Sequence, residues 1–316
     1  VVMSKRDYGS GHVSRRAFLK GVSLATAGVI WTVRGRSSFA LAAEDAQPAA
    51  GDFTFIQISD THVGFKQDPN KDSLGTFREA IAEINALPTP PDFVIHTGDQ
   101  THLSKAEEYD AAAELLKSIK VKEIFYVPGE HDELDDGQEF LKRYGKGTIG
   151  TGWHSHDHKG VHFIGLVNVA KLTSTGLGSL GPEQLDWLKK DVERLNPSTP
   201  IIVYTHMPLW MLYPQWGWGT EDGDQALSLM KRFNSDTVLQ GHIHQIQKKI
   251  VGSMTLHTAR STAFPIAEAG KGPGPVPIKD VPPDKLRSML GLTRANYSGQ
   301  KHSVGLFDSA LSDKQL

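Results

Sequence analysis

The sequence predicts an α/β fold, and three observations lead there. Short apolar runs of strand length alternate with longer segments whose apolar residues recur at helical spacing. Pro, Gly and polar clusters separate the runs. Strand after strand leads directly into a turn that carries His or Asp. Strand–helix alternation is the mark of α/β architectures, and 316 residues suffice for one large domain with a buried core.

Residues 53–59 form an apolar strand that runs into Asp60-Thr61-His62. Leu74, Phe77, Ile81 and Ile84 give residues 72–86 a helical face, ended by Pro88, Pro90 and Pro91. A second strand, 92–97, leads into Gly98-Asp99-Gln100-Thr101-His102. Ser104 with Glu107 three residues on predicts a capping box opening a helix over 104–119. The third strand, 123–127, precedes Pro128-Gly129-Glu130-His131-Asp132. His154, His156 and His158 read as solvated loop residues before a fourth strand at 161–167. Gly181-Pro182 starts a helix through Leu185, Leu188 and Val192. The fifth strand, 200–204, ends at Thr205-His206-Met207-Pro208, and 237–240 leads into Gly241-His242-Ile243-His244. Further strands are expected at 246–251 and 254–257, then a Pro- and Gly-rich extension from about residue 265 and a short helix at 283–290.

In open α/β sheets the ligand crevice lies beyond the carboxyl ends of the strands, so these turns can converge although they are far apart in sequence. Gly98, Gly129 and Gly241 are expected to permit the sharp turns involved. The chain has no cysteine, which excludes disulfides, thiolate metal sites and a cysteine nucleophile. Any metal must therefore be held by His, Asp, Glu, Asn or water, and 14 histidines are available. A net charge of −2 gives no global field for nucleic acid, and no nucleic-acid partner is expected.

Ser14-Arg15-Arg16-Ala17-Phe18-Leu19-Lys20 matches the twin-arginine export signature. The apolar run at 21–33 is shorter than the roughly 20 residues that span a bilayer, and Ala40-Leu41-Ala42 is a small-x-small cleavage site. Residues 1–42 are thus expected to be a signal peptide and 43–316 the exported catalytic domain. Its partner would be the twin-arginine machinery, its destination the periplasm, with no stable membrane insertion after cleavage. Retention of the uncleaved segment as an anchor is the alternative.

Asp-x-His at 60–62, Gly-Asp-x-x-His at 98–102, Gly-x-His-Asp at 129–132, His206 before Met-Pro, and Gly-His-x-His at 241–244 occur in this order. Together they resemble the calcineurin-like metallophosphoesterases, over about residues 53–260. The stretch 158–163 and the helix start at 181–188 look like the bacterial branch that contains class III cyclic-nucleotide phosphodiesterases. The resemblance implies a two-sheet sandwich flanked by helices, in four layers α/β/β/α. It implies a first metal held by Asp60, His62 and His244, a bridging Asp99, and a second metal held by His206, His242 and Glu130. His131 would be the general acid beside the leaving group. Two ions of Fe, Mn or Zn suit such a mixed oxygen–nitrogen set. Attack by a metal-bridging hydroxide on a small phosphomonoester or phosphodiester is the implied reaction, with a cyclic nucleotide as the alternative substrate.

One departure stands out. Position 130 is Glu where the family usually has Asn, which adds a negative charge beside the metals. Glu130 either completes the second site or turns aside, and a metal-binding protein with little turnover is the corresponding alternative. His102 is expected to hydrogen-bond behind the ligands or, alternatively, to touch substrate. Trp210, Tyr213, Trp216 and Trp218 form either a lid over the site or a satellite core under a loop. His96 and His162 read as hydrogen-bonded strand residues, and His257 stays unassigned.

Overall fold

The computed structural model describes residues 51–313, so the twin-arginine segment and its cleavage position lie outside the described residues. In chain order the elements are β1 (Phe53–Ile58), α1 (Ser73–Asn85), β2 (Phe93–Thr97), α2 (Ala106–Leu116) and β3 (Ile124–Val127). After a 3-10 turn at Glu130–Asp132 come α3 (Gln138–Tyr144), β4 (His154–His158), β5 (Val161–Gly165), α4 (Gly181–Glu193) and β6 (Ile201–Tyr204). The chain continues through α5 (Gly223–Met230), β7 (Asp236–Gln240), β8 (Lys248–Val251) and β9 (Met254–Thr258). It closes with α6 (Pro283–Met289), β10 (Gly291–Ser298) and β11 (Ser303–Ala310).

Two sheets result, in the orders β11-β10-β1-β2-β3 and β4-β5-β6-β7-β9-β8. β1, β2 and β3 run parallel, as do β5, β6, β7 and β9, so their carboxyl ends share one rim within each sheet. Both faces of the central strands are buried, which is why those strands read as continuous apolar runs. Phe55, Phe93, Ile95, Phe163, Ile202 and Leu239 fill the space between the sheets, where Phe55 stacks on Phe93 at 5.1 Å. One residue along, Ile56, Ile58 and Val94 turn outward against Phe77, Ile81 and Ile84 of α1 and Ala112 and Leu116 of α2. On the far side Val203, Val238 and Leu256 meet Leu188 and Val192 of α4 and Leu227 and Met230 of α5. Each fully buried Phe, Ile or Leu contributes roughly 1.5–3 kcal/mol. The result is the four-layer sandwich that the motifs implied.

Three local expectations are corrected. Ser104 is not a helix cap: α2 begins at Ala106 with Lys105 at the cap position and no side-chain cap. Ser104 instead donates from Oγ to the His131 carbonyl at 2.7 Å, and Glu108 rather than Glu107 accepts from the Leu103 amide at 2.7 Å. Tertiary bonding outcompetes the local capping pattern. The histidines at 154–158 are not a solvated loop. They form the edge strand β4, where the His156 ring lies 3.7 Å from Phe125 in a stack, and burial takes its pKa down to about 3. β10 and β11 have no counterpart among the expected strands, although β10 pairs with β1 over Phe53–Gln57. Among the described residues no helix is long and apolar enough to cross a membrane.

Candidate metal centre

The turns after β1, β2 and β7 bend at the expected ligands themselves. Asp60, His62, Asp99, His242 and His244 have φ of 53°, 38°, 52°, 70° and 56°. Non-glycine residues in this left-handed region are strained and persist only where surrounding structure holds them. Here the turns hold one another. The Asp60 amide donates to Gly98 O at 3.0 Å, the His62 amide to Asp99 O at 2.9 Å, and the Gly241 amide to His206 O at 2.8 Å. The Asp60 carboxylate accepts from the His242 amide at 3.1 Å.

Seven side chains converge into two groups. In the first, His62 Nε2 lies 3.2 Å from His244 Nε2, which is 3.3 Å from Asp60 Oδ1. In the second, the two Glu130 oxygens lie 2.7 Å from His206 Nε2 and 2.9 Å from His242 Nδ1. Asp99 Oδ2 stands between the groups, 3.3 Å from His62 Nε2 and 3.6 Å from His206 Nε2. Donor atoms bound to one cation at about 2.1 Å lie roughly 3–3.4 Å apart, so these spacings suit two ions that share Asp99. Glu130 does not turn aside; both of its oxygens face the second group.

Outer hydrogen bonds settle which nitrogen faces inward. His206 Nδ1 donates to Thr97 O at 2.7 Å and His244 Nδ1 to Phe264 O at 2.5 Å. A carbonyl only accepts, so each Nδ1 carries the hydrogen and each Nε2 is the atom turned to the centre. Burial works against a charge on His206, but Asp99 and Glu130 raise its pKa well above the histidine range, so its Nε2 holds a proton that a cation would displace. Burial, then the neighbouring His131, His244 and His102, hold the His62 pKa well below the usual histidine range, so this ring stays neutral and able to ligate. Burial and the Glu130 charge raise Asp99 well above the carboxylate range, a penalty that cations would relieve. Burial opposes ionisation of Glu130, yet His242 and His206 beside it hold its pKa well below normal. The donor set and its tautomers therefore fit a pair of cations.

His131 Nδ1 donates to His102 O at 2.7 Å, which leaves Nε2 free. Its ring stacks on His102 at 4.9 Å. Burial disfavours its charged form, but Asp99 and Glu130 outweigh that and lift its pKa. His102 Nδ1 in turn lies 3.4 Å from His62 Nδ1, and His102 also lines the cavity, so it meets both a candidate ligand and the open space. His96 and His162 are buried and bonded, to Thr61 at 3.2 Å and to Asp191 at 2.9 Å. His257 stands 2.9 Å from Asp308.

The three motif glycines serve different needs. Gly98 makes a turn that L-residues avoid, at φ +95°. Gly129 and Gly241 are required for close approach instead. A Cβ on Gly129 would lie 2.1 Å from Asp99 Oδ1, and one on Gly241 would lie 2.1 Å from Ser59 Oγ.

Several supporting residues escaped the sequence reading. Asp132, fully buried, accepts from the amides of Gln100 at 3.0 Å, Thr101 at 3.0 Å and Gly129 at 3.1 Å, locking the Asp99 turn to the Glu130 turn. Its place in Gly-x-His-Asp was the available signal. Thr97 Oγ1 donates to Ser59 Oγ at 2.7 Å, which donates to Asp60 Oδ2 at 2.5 Å. Ser261 Oγ donates to Asp60 O at 2.7 Å, with nothing in the sequence to mark it.

His62, Asp99, Glu130, His131, His242 and His244 line one side of a cavity of about 280 Å³. Its other side is Phe65, Gln67, Trp218, Phe264, Ile266, Pro275 and Pro277. Within the Trp210–Trp218 stretch, Trp210 packs into the core between the second sheet and its helices, whereas Trp218 is buried in a satellite core with Phe65, Ile243 and Phe264, one edge of which is the cavity wall.

Residues 53–246 match the calcineurin-like phosphoesterase family. The chain belongs to this family. As a calcineurin-like phosphoesterase it is a hydrolase of phosphate-ester bonds. This phosphoesterase is 25% identical over 232 residues to the probable glycerophosphodiester phosphodiesterase GpdQ of Arcobacter nitrofigilis, covering 67% of the chain and 79% of that protein. It is 28% identical over 198 residues to the 3',5'-cyclic adenosine monophosphate phosphodiesterase CpdA of Haemophilus influenzae, covering 60% and 69%. Among solved structures it shares the fold of a dimetal phosphatase from Danio rerio, with TM-score 0.62, 12% identity, and 84% and 98% of the two chains covered.

Proposed function

We propose that this phosphoesterase is exported folded by the twin-arginine route and cleaves a small phosphate ester at a two-metal centre in the periplasm. The observation that carries the catalytic part is the position of Asp99 Oδ2 between two groups of inward-facing donors. Asp60, His62 and His244 would hold one ion, His206, His242 and Glu130 the other, and Asp99 would serve both. The lack of thiolate ligands supports Fe, Mn or Zn over softer metals. When bound, such a pair supplies an activated water and neutralises charge on the phosphate oxygens.

The chain's own residues do the rest. His131, fixed through Nδ1, offers Nε2 to the cavity and is placed to hand a proton to the departing oxygen. Ser59, Thr97 and Ser261 hold Asp60, while Asp132 holds the turn that carries Asp99. A metal-binding protein without turnover is not favoured, since the family that matches and the relatives named for an activity are phosphoesterases and phosphodiesterases. Two relatives named as phosphodiesterases support a diester among the substrates.

The test is reconstitution of the mature chain with Mn, Fe or Zn, metal counting, and assay with p-nitrophenyl and bis-p-nitrophenyl phosphate. Two ions per chain with cleavage is the expected result; tight binding without cleavage overturns the catalytic reading. For export, residues 1–42 fused to a reporter should reach the periplasm, and changing Arg15 and Arg16 to Lys should retain it inside.

A further inference from the structure

The cavity wall facing the ligands is made by a segment that the metal chemistry does not use. Ile266 bridges to Pro277, and the Ile278 amide donates to Pro265 O at 3.1 Å, so residues 265–278 fold back as a flap. The flap is tied to a ligand turn. His244 donates to Phe264 O, and the next residue, Gln245, donates from Nε2 to Ile266 O at 2.8 Å and Ala267 O at 2.7 Å. Phe264 places its ring 4.7 Å from His62 and 4.6 Å from His244, with Phe65 a further 4.3 Å away. An aromatic surface therefore begins where the first group of ligands ends.

Resting on the phosphoesterase reading, we propose that the substrate carries one uncharged, apolar ring on its phosphate, seated against Phe264, Trp218 and Ile266. Three observations fix that chemistry. The wall is largely apolar, and Trp218 is held rigid by Trp216 edge-on at 5.1 Å. None of the lining residues is Lys or Arg; the wall's one polar side chain, Gln67, is uncharged and His131 stands on the ligand side, so no cation on the wall pairs with a second anionic group. The volume, about 280 Å³, lies just below the roughly 300–1,000 Å³ typical of small-molecule sites. Beside a phosphate at the ligands, that space suits a single ring against the wall.

Phosphonates test this without turnover, because each carries one substituent. Binding of phenyl-, n-butyl- and methylphosphonate to the metal-loaded protein is measured by calorimetry. Phenylphosphonate is expected to bind at least about tenfold more tightly than methylphosphonate, as burial of an aromatic side chain predicts, and more tightly than the butyl compound. Ile266→Ala and, as a milder change to the same wall, Trp218→Phe should each shrink the phenyl-to-methyl ratio. A ratio near one in the parent, a preference for butyl, or a ratio that neither variant moves overturns the ring proposal. Failure of the phosphoesterase reading looks different: no phosphonate binds and no nitrophenyl ester is cleaved, and the ring proposal falls with it.

Discussion

Gly129→Ala is expected to unseat Asp99 while leaving the fold standing. The new Cβ would lie 2.1 Å from Asp99 Oδ1 and 2.3 Å from the Asp99 amide nitrogen. Non-bonded heavy atoms settle near about 3.5 Å, so an overlap of roughly 1.4 Å has to be relieved. A rotamer change cannot relieve it, because one of the two neighbours is backbone. The turns at 98–101 and 128–132 must move apart, against the Asp132 carboxylate that clasps the Gln100, Thr101 and Gly129 amides. Overpacking of this kind costs about 1–3 kcal/mol, and in a domain of this size each kcal/mol lowers Tm by about 2–4 °C. Metal sites tolerate displacements of only about 0.2 Å, so the shared ligand is lost long before the fold is. The assay is threefold: thermal unfolding, metal content after reconstitution, and kcat/KM with bis-p-nitrophenyl phosphate. A Tm lower by a few degrees, fewer than two ions per chain, and activity down about a hundredfold are expected, the last from a misplacement near 1 Å. A variant that keeps two ions and near-parental kcat/KM refutes the bridging role of Asp99.

Glu130→Asn removes one negative charge from the second group. It should raise kcat/KM for the dianionic nitrophenyl monoester more than for the monoanionic diester; an unchanged ratio would show that the charge is not felt by substrate. Chelation should lower Tm, and Mn or Zn should restore it, since ions that bind only the folded chain stabilise it; a Tm indifferent to chelator would argue against bound ions. Burial raises the Asp236 pKa to about 7, above its unfolded value, so stability present in acid is lost as pH rises through 7. Asp236→Asn should therefore raise Tm at pH 8, by the equivalent of about 1–2 kcal/mol after solvent screening, with the gap closing near pH 4. Burial works against ionisation of Asp308, but its bonds to His257 and Thr293 hold its pKa below normal, so its stabilisation is present above the unfolded value and lost in acid. Asp308→Asn should melt earlier at pH 7, and the deficit should shrink as pH falls below about 4, toward the lower folded pKa.

The convergence of the candidate ligands was legible because each of them sits where a strand ends. That placement is local in sequence: an apolar run, then Asp-x-His or Gly-His-x-His. The same locality explains what could not be read. β10 pairs with β1 from the opposite end of the chain, and no periodicity within 291–298 announces that partner. Ser104 carried the local mark of a cap but is claimed by the His131 carbonyl, a contact that exists only once the third turn has docked. β4 is polar because the edge of the sandwich lets histidine rings lie over Phe125 and Phe163, so an aromatic surface met by imidazole looked like a loop. What makes Gly129 and Gly241 necessary, crowding by Asp99 and Ser59, likewise exists only in three dimensions. The flap over 265–278 gave composition and nothing more, since its neighbours Gln245 and Phe264 lie outside it.

The left-handed corners at Asp60, His62, Asp99, His242 and His244 set the protein's robustness against its chemistry. Glycine rests comfortably at such corners, whereas histidine and aspartate are held there at about 1 kcal/mol or more apiece. A chain with glycine at position 242 would therefore be sturdier when stripped of ions and useless as a catalyst. Selection for heat tolerance alone would erode the centre from the corners inward; only continued demand for hydrolysis keeps imidazole where the backbone would rather have none.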